Sequence, residues 1–529
     1  MSPNQRLIVA VLLSIIFFVG YTAIFPPKEQ VVADKAQKQE NVTTKENNNV
    51  VQRVEEASGH AVSQQEKMEQ TSSSDIVTVA NEKFILKIDT LGRISSKELL
   101  EEKFRNADDL HAQVIPSFGT KPLYIRFADD AINDEATKIP YVASVSKIEL
   151  EDTPVTVTLT QNLSALSVTK TLTFYSDGHY DVKITTSKDV RYFVYLGDRP
   201  QVSKKLMAVA GAMVYTGDDV VHIIEDGDAE GREIFQDVKL ISSFDQYTAI
   251  MLYGFKKDTS VIVERGRDDN PVVYFEASKN ENLHGYIGPK EHKVLNAIDP
   301  LLTNAIEYGW FTFAAKPIFA LLSWLHGIFG NWGWAIIALT AIIRLVLYPL
   351  TYKGMVSMQK MKELAPKLKE LKEKYKKDPQ RLNAATMEMY KKHGANPLGG
   401  CLPMLLQIPV FFALYRTLLN AVELQGAPWI LWIDDLSRMD PYYVLPILMG
   451  ASMFLQQRMT PNNFTDPMQE KVFKYLPVIF TFFFVTFPSG LVLYWFVNNL
   501  FSIAQQYMVN QQFRNAKDLK AAIEKKSEK

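Results

Sequence analysis

Ala335-Ile336-Ile337-Ala338-Leu339-Thr340-Ala341-Ile342-Ile343-Arg344-Leu345-Val346-Leu347-Tyr348 sets one arginine inside an otherwise uncharged run. From Trp332 to Leu350 the run is long and apolar enough to span a bilayer. An arginine at the centre of such a helix costs about 2.5–3.5 kcal/mol. Arg344 lies roughly 18 Å beyond Trp332 at 1.5 Å per residue, in the inner half of the bilayer and out of reach of the outer headgroups. Thr340 is one turn earlier on the same face. The apolar spans hold no Asp or Glu, although Gln407, Asn498 and Asn499 can offer carbonyls. Two readings stay open: an arginine tied to backbone carbonyls or lipid phosphate, and a cationic site in a water-filled cavity that attracts acidic groups on a passing chain.

Four further spans follow, at Leu398 to Leu419, Tyr442 to Gln457, Phe473 to Phe487 and Leu491 to Tyr507. Pro446 and Pro477 would kink a soluble helix, whereas neighbouring groups in a membrane bundle re-satisfy the freed backbone. Leu7 to Phe25 is an uncharged run ending in bulky Ile24 and Phe25, which predicts an uncleaved anchor rather than a cleaved signal peptide. Between the anchor and the core the pattern changes twice. Lys28 to Ser74 has no apolar periodicity and reads as a tether. From Ile76 to Pro300, alternation recurs in Val155 to Leu159, Val168 to Phe174 and Tyr180 to Ile184, punctuated by turns such as Ser176-Asp177-Gly178. The expected fold is thus a polytopic α-helical membrane protein, with six spans and a five-helix core, plus a large periplasmic β-sandwich. The divisions are an anchor at 1–27, a flexible linker at 28–75, the β-sandwich at 76–304, an interfacial amphipathic helix at 305–329, the five-span core at 330–510 with a helical hairpin at 352–397, and a basic tail at 511–529.

Across 529 residues, 58 Lys plus Arg balance 59 Asp plus Glu, so no global charge draws the chain to nucleic acid. The single cysteine, Cys401, lies in an apolar run, which excludes a disulfide framework. Local charge is more informative. The loop 352–397 is strongly basic, as is the tail, whereas 420–441 carries Glu423, Asp434, Asp435 and Asp440 against Arg438 alone. Positive residues mark cytoplasmic loops, so both termini and the basic loop are cytoplasmic and the β domain lies across the membrane. Within the loop, Met358, Met361, Leu364, Leu368, Leu371 and Tyr375 form one apolar stripe, Pro366 is a candidate kink, Lys377-Asp378-Pro379 breaks the helix, and Gln380 to His393 begins a second helical stretch. Its lysine coat is either a solvated face that enforces topology or a contact surface for anionic lipid or ribosomal RNA.

No phosphate-cradling glycine loop, His-Glu-x-x-His, Gly-x-Ser-x-Gly or Cys/His metal spacing occurs, so neither an enzyme nor a cofactor is implied. Met449 and Met453 are four apart on one span, and Phe411 follows Gln407 at the same spacing. Such stripes are either packing or an adaptable surface for varied partners.

Asn396 to Phe411, Asp440 to Gly450 and Phe487 to Trp495, three long motifs in order, resemble the signatures of the Oxa/Alb/YidC family. The resemblance covers the carboxy-terminal half closely, and the anchor with a large outer domain is similar to the Gram-negative form. It implies an inner-membrane insertase and chaperone with a hydrophilic groove, open to cytoplasm and lipid and closed towards the periplasm. Arg344, Thr340, Gln407 and Asn498 would belong to that groove. Phe411, Met449, Met453, Tyr494 and Trp495 would line a hydrophobic slide for the incoming helix. Implied partners are nascent membrane-protein clients, the Sec translocon, the lipid bilayer, and ribosomes reached through the hairpin and tail. Arg416 stands near the outer end of its span, where an uncharged residue is expected. Two rivals remain: an anion transporter using Arg344, and a periplasmic envelope binder for which the membrane part is only an anchor.

Overall fold

The computed structural model describes residues 74–527 apart from 106–109, 203–208, 267–268, 279, 307–311, 377, 395–401 and 460–466. The expected anchor, the linker up to 73 and Cys401 lie outside the described residues. The chain forms two compact units, Met1–Glu307 and Tyr308–Lys529.

The first unit is β-rich. Strand Ser167–Phe174 alternates buried and half-buried side chains along its length, as does Val155–Asn162 over most of its own, which is what a period of two produces on a one-sided sheet. Among the described residues the strands form three sheets of five, nine and five strands. The nine-stranded sheet runs from Val221–Glu225 at one edge through Asn280–Pro289 and His179–Thr186 to Val142–Ala143 at the other. Two lysines tie the first sheet to the second. Lys170, fully buried, donates to the carbonyls of Gly92 and Leu123 at 2.8 Å each. Lys97 reaches the Gly178 carbonyl at 3.4 Å and that of Ile287, with its ammonium 4.0 Å from the Phe84 ring centroid. Neither has a carboxylate among those hydrogen bonds, and burial pushes both ammonium groups down to about 7.

The second unit is helical: α1 Thr312–Phe329, α2 Trp332–Lys374, α3 Pro379–Lys392, α4 Leu402–Asn420, α5 Val444–Met459, α6 Pro467–Phe484 and α7 Ser489–Ser527. Phe319, Leu322, Ile336, Leu339, Leu414, Leu418, Met449 and Leu491 share one buried cluster. α1 therefore packs one side into the core, while Trp324 and Ile328 remain 62% and 57% exposed on the other.

The helices accommodate their prolines in two ways. Pro446 falls in the first turn of α5, where its missing N–H has no helical partner to lose. α2 runs unbroken for 43 residues through Pro349 and Pro366, about 65 Å at 1.5 Å per residue. Each proline there removes one hydrogen bond from a ladder of many, so the helix continues without a break from the apolar run into the basic hairpin. The hairpin closes on Leu364 and Met389, with Met361, Leu368, Leu371 and Tyr390 around them. Asp378 caps α3 through Arg381 N–H at 3.1 Å. Among the described residues, one helix, α2, is long and apolar enough to cross a membrane by length and composition alone.

Candidate functional site

Arg344 is 4% exposed and reaches α7 and α4 at once. Its Nε donates to Asn498 Oδ1 at 2.7 Å, and Nη2 donates to the Asn498 carbonyl at 2.9 Å and to Ser502 Oγ. A guanidinium offers only donors, so the Gln407 amide turns its oxygen inward and accepts from Nη1 at 2.9 Å and Nη2 at 3.1 Å. Every acceptor named here is neutral. The planar fork of five N–H groups explains why arginine suits the position: it reaches two helices with bonds on each, which a lysine's point charge cannot reproduce.

Local sequence positions these partners. Asn498 and Ser502 are one turn apart on α7, and the Ser502 hydroxyl also donates to the Asn498 carbonyl at 3.0 Å. The polar seam continues along α7 with Gln505 and Gln506, 7% and 3% exposed. On α2, Thr340 is buried, but its hydroxyl donates to its own helix at Ile336 O, 2.7 Å away, rather than meeting the guanidinium. Asn499 points elsewhere, donating to Ser452 Oγ at 3.1 Å and linking α7 to α5. Of the four residues expected in a groove, Gln407 and Asn498 thus meet Arg344, and Thr340 lies one turn away. Ser502 was missed. Its signal was the spacing of four from Asn498, the spacing that places two helical residues on one face.

The five residues expected to line a slide divide in two. Met449 and Tyr494 are 0% and 4% exposed, inside the apolar core, whereas Phe411, Met453 and Trp495 are partly buried against it. Phe411 meets Trp495 edge-on with centroids 4.7 Å apart, and Phe484 stands 4.9 Å from the same indole. The outward apolar surface belongs to other residues of α5 and α6, among them Ile447, Leu455, Val478 and Phe482, the last 84% exposed. α5 and α6 approach closely because Gly450 has no side chain: a Cβ there would lie 1.8 Å from Thr481 Oγ1. Arg416 is half-buried on α4, beside Tyr415.

What the arrangement can do chemically follows from its acceptors. A guanidinium held by neutral oxygens keeps its full charge and gains by exchanging one of them for a carboxylate, since that adds a charge–charge attraction and a bidentate fit to bonds its own charge already strengthens.

Two family descriptions match the chain. Residues 324–517 match the 60Kd inner membrane protein family, and residues 244–321 match the YidC periplasmic domain. Proteins called membrane protein insertase YidC are similar over nearly the whole length. That of Wolinella succinogenes is 48% identical over 99% of this chain and 97% of its own. That of Campylobacter jejuni is 46% identical over 96% of each, and that of Helicobacter pylori 44% identical over 99% of each. Identity at this level over both the periplasmic and the inner-membrane parts leaves one assignment: the chain belongs to the YidC family.

Proposed function

We propose that this protein inserts and helps fold integral inner-membrane proteins, and that Arg344 is the charge that receives a client's polar segment. The single observation carrying the reading is a buried guanidinium, in an apolar helical unit, whose hydrogen bonds run to Gln407, Asn498 and Ser502. A purely structural arginine is better neutralised. One that must release its partners to an incoming carboxylate is better held by weak, neutral ones.

In this reading the chain has six spans, the anchor and α2, α4, α5, α6 and α7, with both termini and the α2–α3 hairpin cytoplasmic. A short hydrophilic segment of the client enters along the polar seam of α7 and exchanges with the neutral acceptors of Arg344. The client's apolar helix moves past Phe411, Met453 and Trp495, with Met449 and Tyr494 supporting them from beneath, and leaves over the outward face of α5 and α6 into lipid. Flexible thioether and aromatic surfaces suit clients of varied shape. The step needs no cofactor and no hydrolysis, because a polar segment partnered part-way crosses less unrelieved hydrocarbon. The Sec translocon and client-bearing ribosomes are the partners, the latter through the lysine-rich hairpin and tail.

The experiment is insertion of a single-span client with a short acidic tail into liposomes containing only this protein. Wild type should insert it, Arg344→Ala should lose most of the rate, and Arg344→Lys should keep a large part of it. Absence of insertion by the wild type would leave an accessory role beside another translocon. Anion flux abolished by Arg344→Ala would instead favour a transporter.

A further inference from the structure

The segment joining α4 to α5 is fixed by its own backbone. Trp429 N–H donates to the Ile433 carbonyl at 2.9 Å and Ile433 N–H to the Ile430 carbonyl at 3.2 Å, closing a turn over Ile430-Leu431-Trp432. Asn331, which caps α2 through Trp334 N–H, sends its amide to the carbonyls of Pro428 and Trp429 at 3.0 and 3.2 Å. Gly333 permits this approach, because a Cβ there would lie 2.0 Å from the Trp429 ring. Beyond the turn, the fully buried Asp440 accepts from Trp432 Nε1, Tyr442 N–H and Leu445 N–H at 3.0, 2.9 and 2.7 Å.

A turn held this firmly would ordinarily show water a polar tip. Here Leu431 is 80% exposed and Ile430 38%. Leu431 also adopts φ +56°, a region that glycine or asparagine occupies more cheaply than leucine. Met439, Tyr442 and Tyr443 are exposed close by in sequence, and Trp334, 45% exposed, meets Trp429 edge-on. The occupant of this surface follows from continuity with the spans. α2 begins at Trp332 beside the turn, and α5 begins at Val444 directly after Tyr443. The turn therefore stands at the level where apolar helices leave the hydrocarbon, the level that Trp and Tyr favour. The N–H groups of Trp429 and Ile433 and the carbonyls of Pro428, Trp429, Ile430 and Ile433 are bonded within the protein, which lowers the cost of setting this turn against lipid.

We propose that the 428–433 turn is a second interfacial anchor, inserting Ile430 and Leu431 among the acyl chains of the outer leaflet while Trp334, Tyr442 and Tyr443 lie at headgroup level. This rests on the membrane-spanning reading above. It gives the outer end of the helical unit a fixed depth in the bilayer, independent of α1.

The test uses the full chain with Cys401→Ser, reconstituted in phosphatidylcholine–phosphatidylglycerol liposomes and carrying one nitroxide on a cysteine at position 431, 434 or 479. Ile479 is 58% exposed on α6 and reports a span, whereas Asp434 reports the polar side of the same segment. The label at 431 should collide with oxygen in preference to a water-soluble nickel chelate, as at 479, and the label at 434 should show the reverse. Nickel access at 431 equal to that at 434 overturns the anchor while leaving the spans intact. Exclusion of both reagents at 431 overturns it in favour of a protein neighbour. Nickel access at 479 overturns the spanning reading and the anchor together.

Discussion

Gln407→Glu places a carboxylate of almost the same shape where α4 meets Arg344, and so neutralises the site without removing the guanidinium. The Gln407 oxygen accepts two N–H groups, at 2.9 and 3.1 Å. Those bonds are already strengthened by the guanidinium's charge, so the carboxylate adds a charge–charge attraction, about 1 kcal/mol at 4 Å in bulk water and about 4 kcal/mol at an effective dielectric of 20. The site lies between those limits, so the hold on Arg344 tightens by about 2–3 kcal/mol. A client carboxylate must displace that stronger partner, and at about 1.4 kcal/mol per factor of ten capture falls by roughly 30- to 150-fold. Folding should change much less, because the desolvation of the new carboxylate offsets most of its attraction to the arginine. The assay is liposome insertion of two clients, identical except for an acidic or an uncharged tail, with thermal unfolding followed by tryptophan fluorescence. The variant should slow the acidic-tailed client selectively, and lowering the pH to protonate the new carboxyl should recover the rate. Wild-type insertion of the acidic-tailed client by a variant of unchanged stability would refute the idea that the accessible positive charge is what matters.

The two buried lysines should give the β unit a pH-dependent stability. Their folded values of about 7 lie below the ordinary 10.5, so the unfolded chain binds more protons between those limits and stability rises as pH increases from 7 towards 10.5, by on the order of a few kcal/mol per group. Lys97→Met with Lys170→Met should flatten that slope in hydrogen exchange of β-unit peptides, and a slope of opposite sign would contradict it. Gly450→Val should separate α5 from α6, lowering stability by about 1–3 kcal/mol and the melting temperature with it; an unchanged melting temperature would show that Thr481 simply rotates aside. Asp440→Ala strips the acceptor from Trp432, Tyr442 and Leu445 and should cost about 2–4 kcal/mol, whereas Asp440→Asn should retain part of it in the same melt.

How much of this could be read from the sequence depends on whether a residue's surroundings differ from it in polarity. Arg344, Gln407 and Asn498 stand out in apolar spans, and they do meet. Ser502 does not stand out, because a serine in a membrane helix bonds its own backbone as readily as a neighbour, and only the fold shows that it also reaches the guanidinium. The strands at Val155–Asn162 and Ser167–Phe174 were legible for the same reason, with one face wet and the other dry. Their assembly into three sheets was not, because pairings such as His179–Tyr286 join residues far apart in sequence. The apolar helices give the weakest contrast. Lipid is as apolar as a protein core, so nothing in the spacing of Met449 and Met453 separates the one that is fully buried from the one at its edge, and a stripe alone cannot tell a slide from its foundation. The outer turn reverses this logic. Leu431 was unremarkable as a letter, and it gains meaning only because the fold holds it outward at a backbone angle leucine disfavours. An exposed apolar residue fixed where α2 and α5 begin calls for an apolar partner, and under the membrane-spanning reading proposed above the bilayer supplies it.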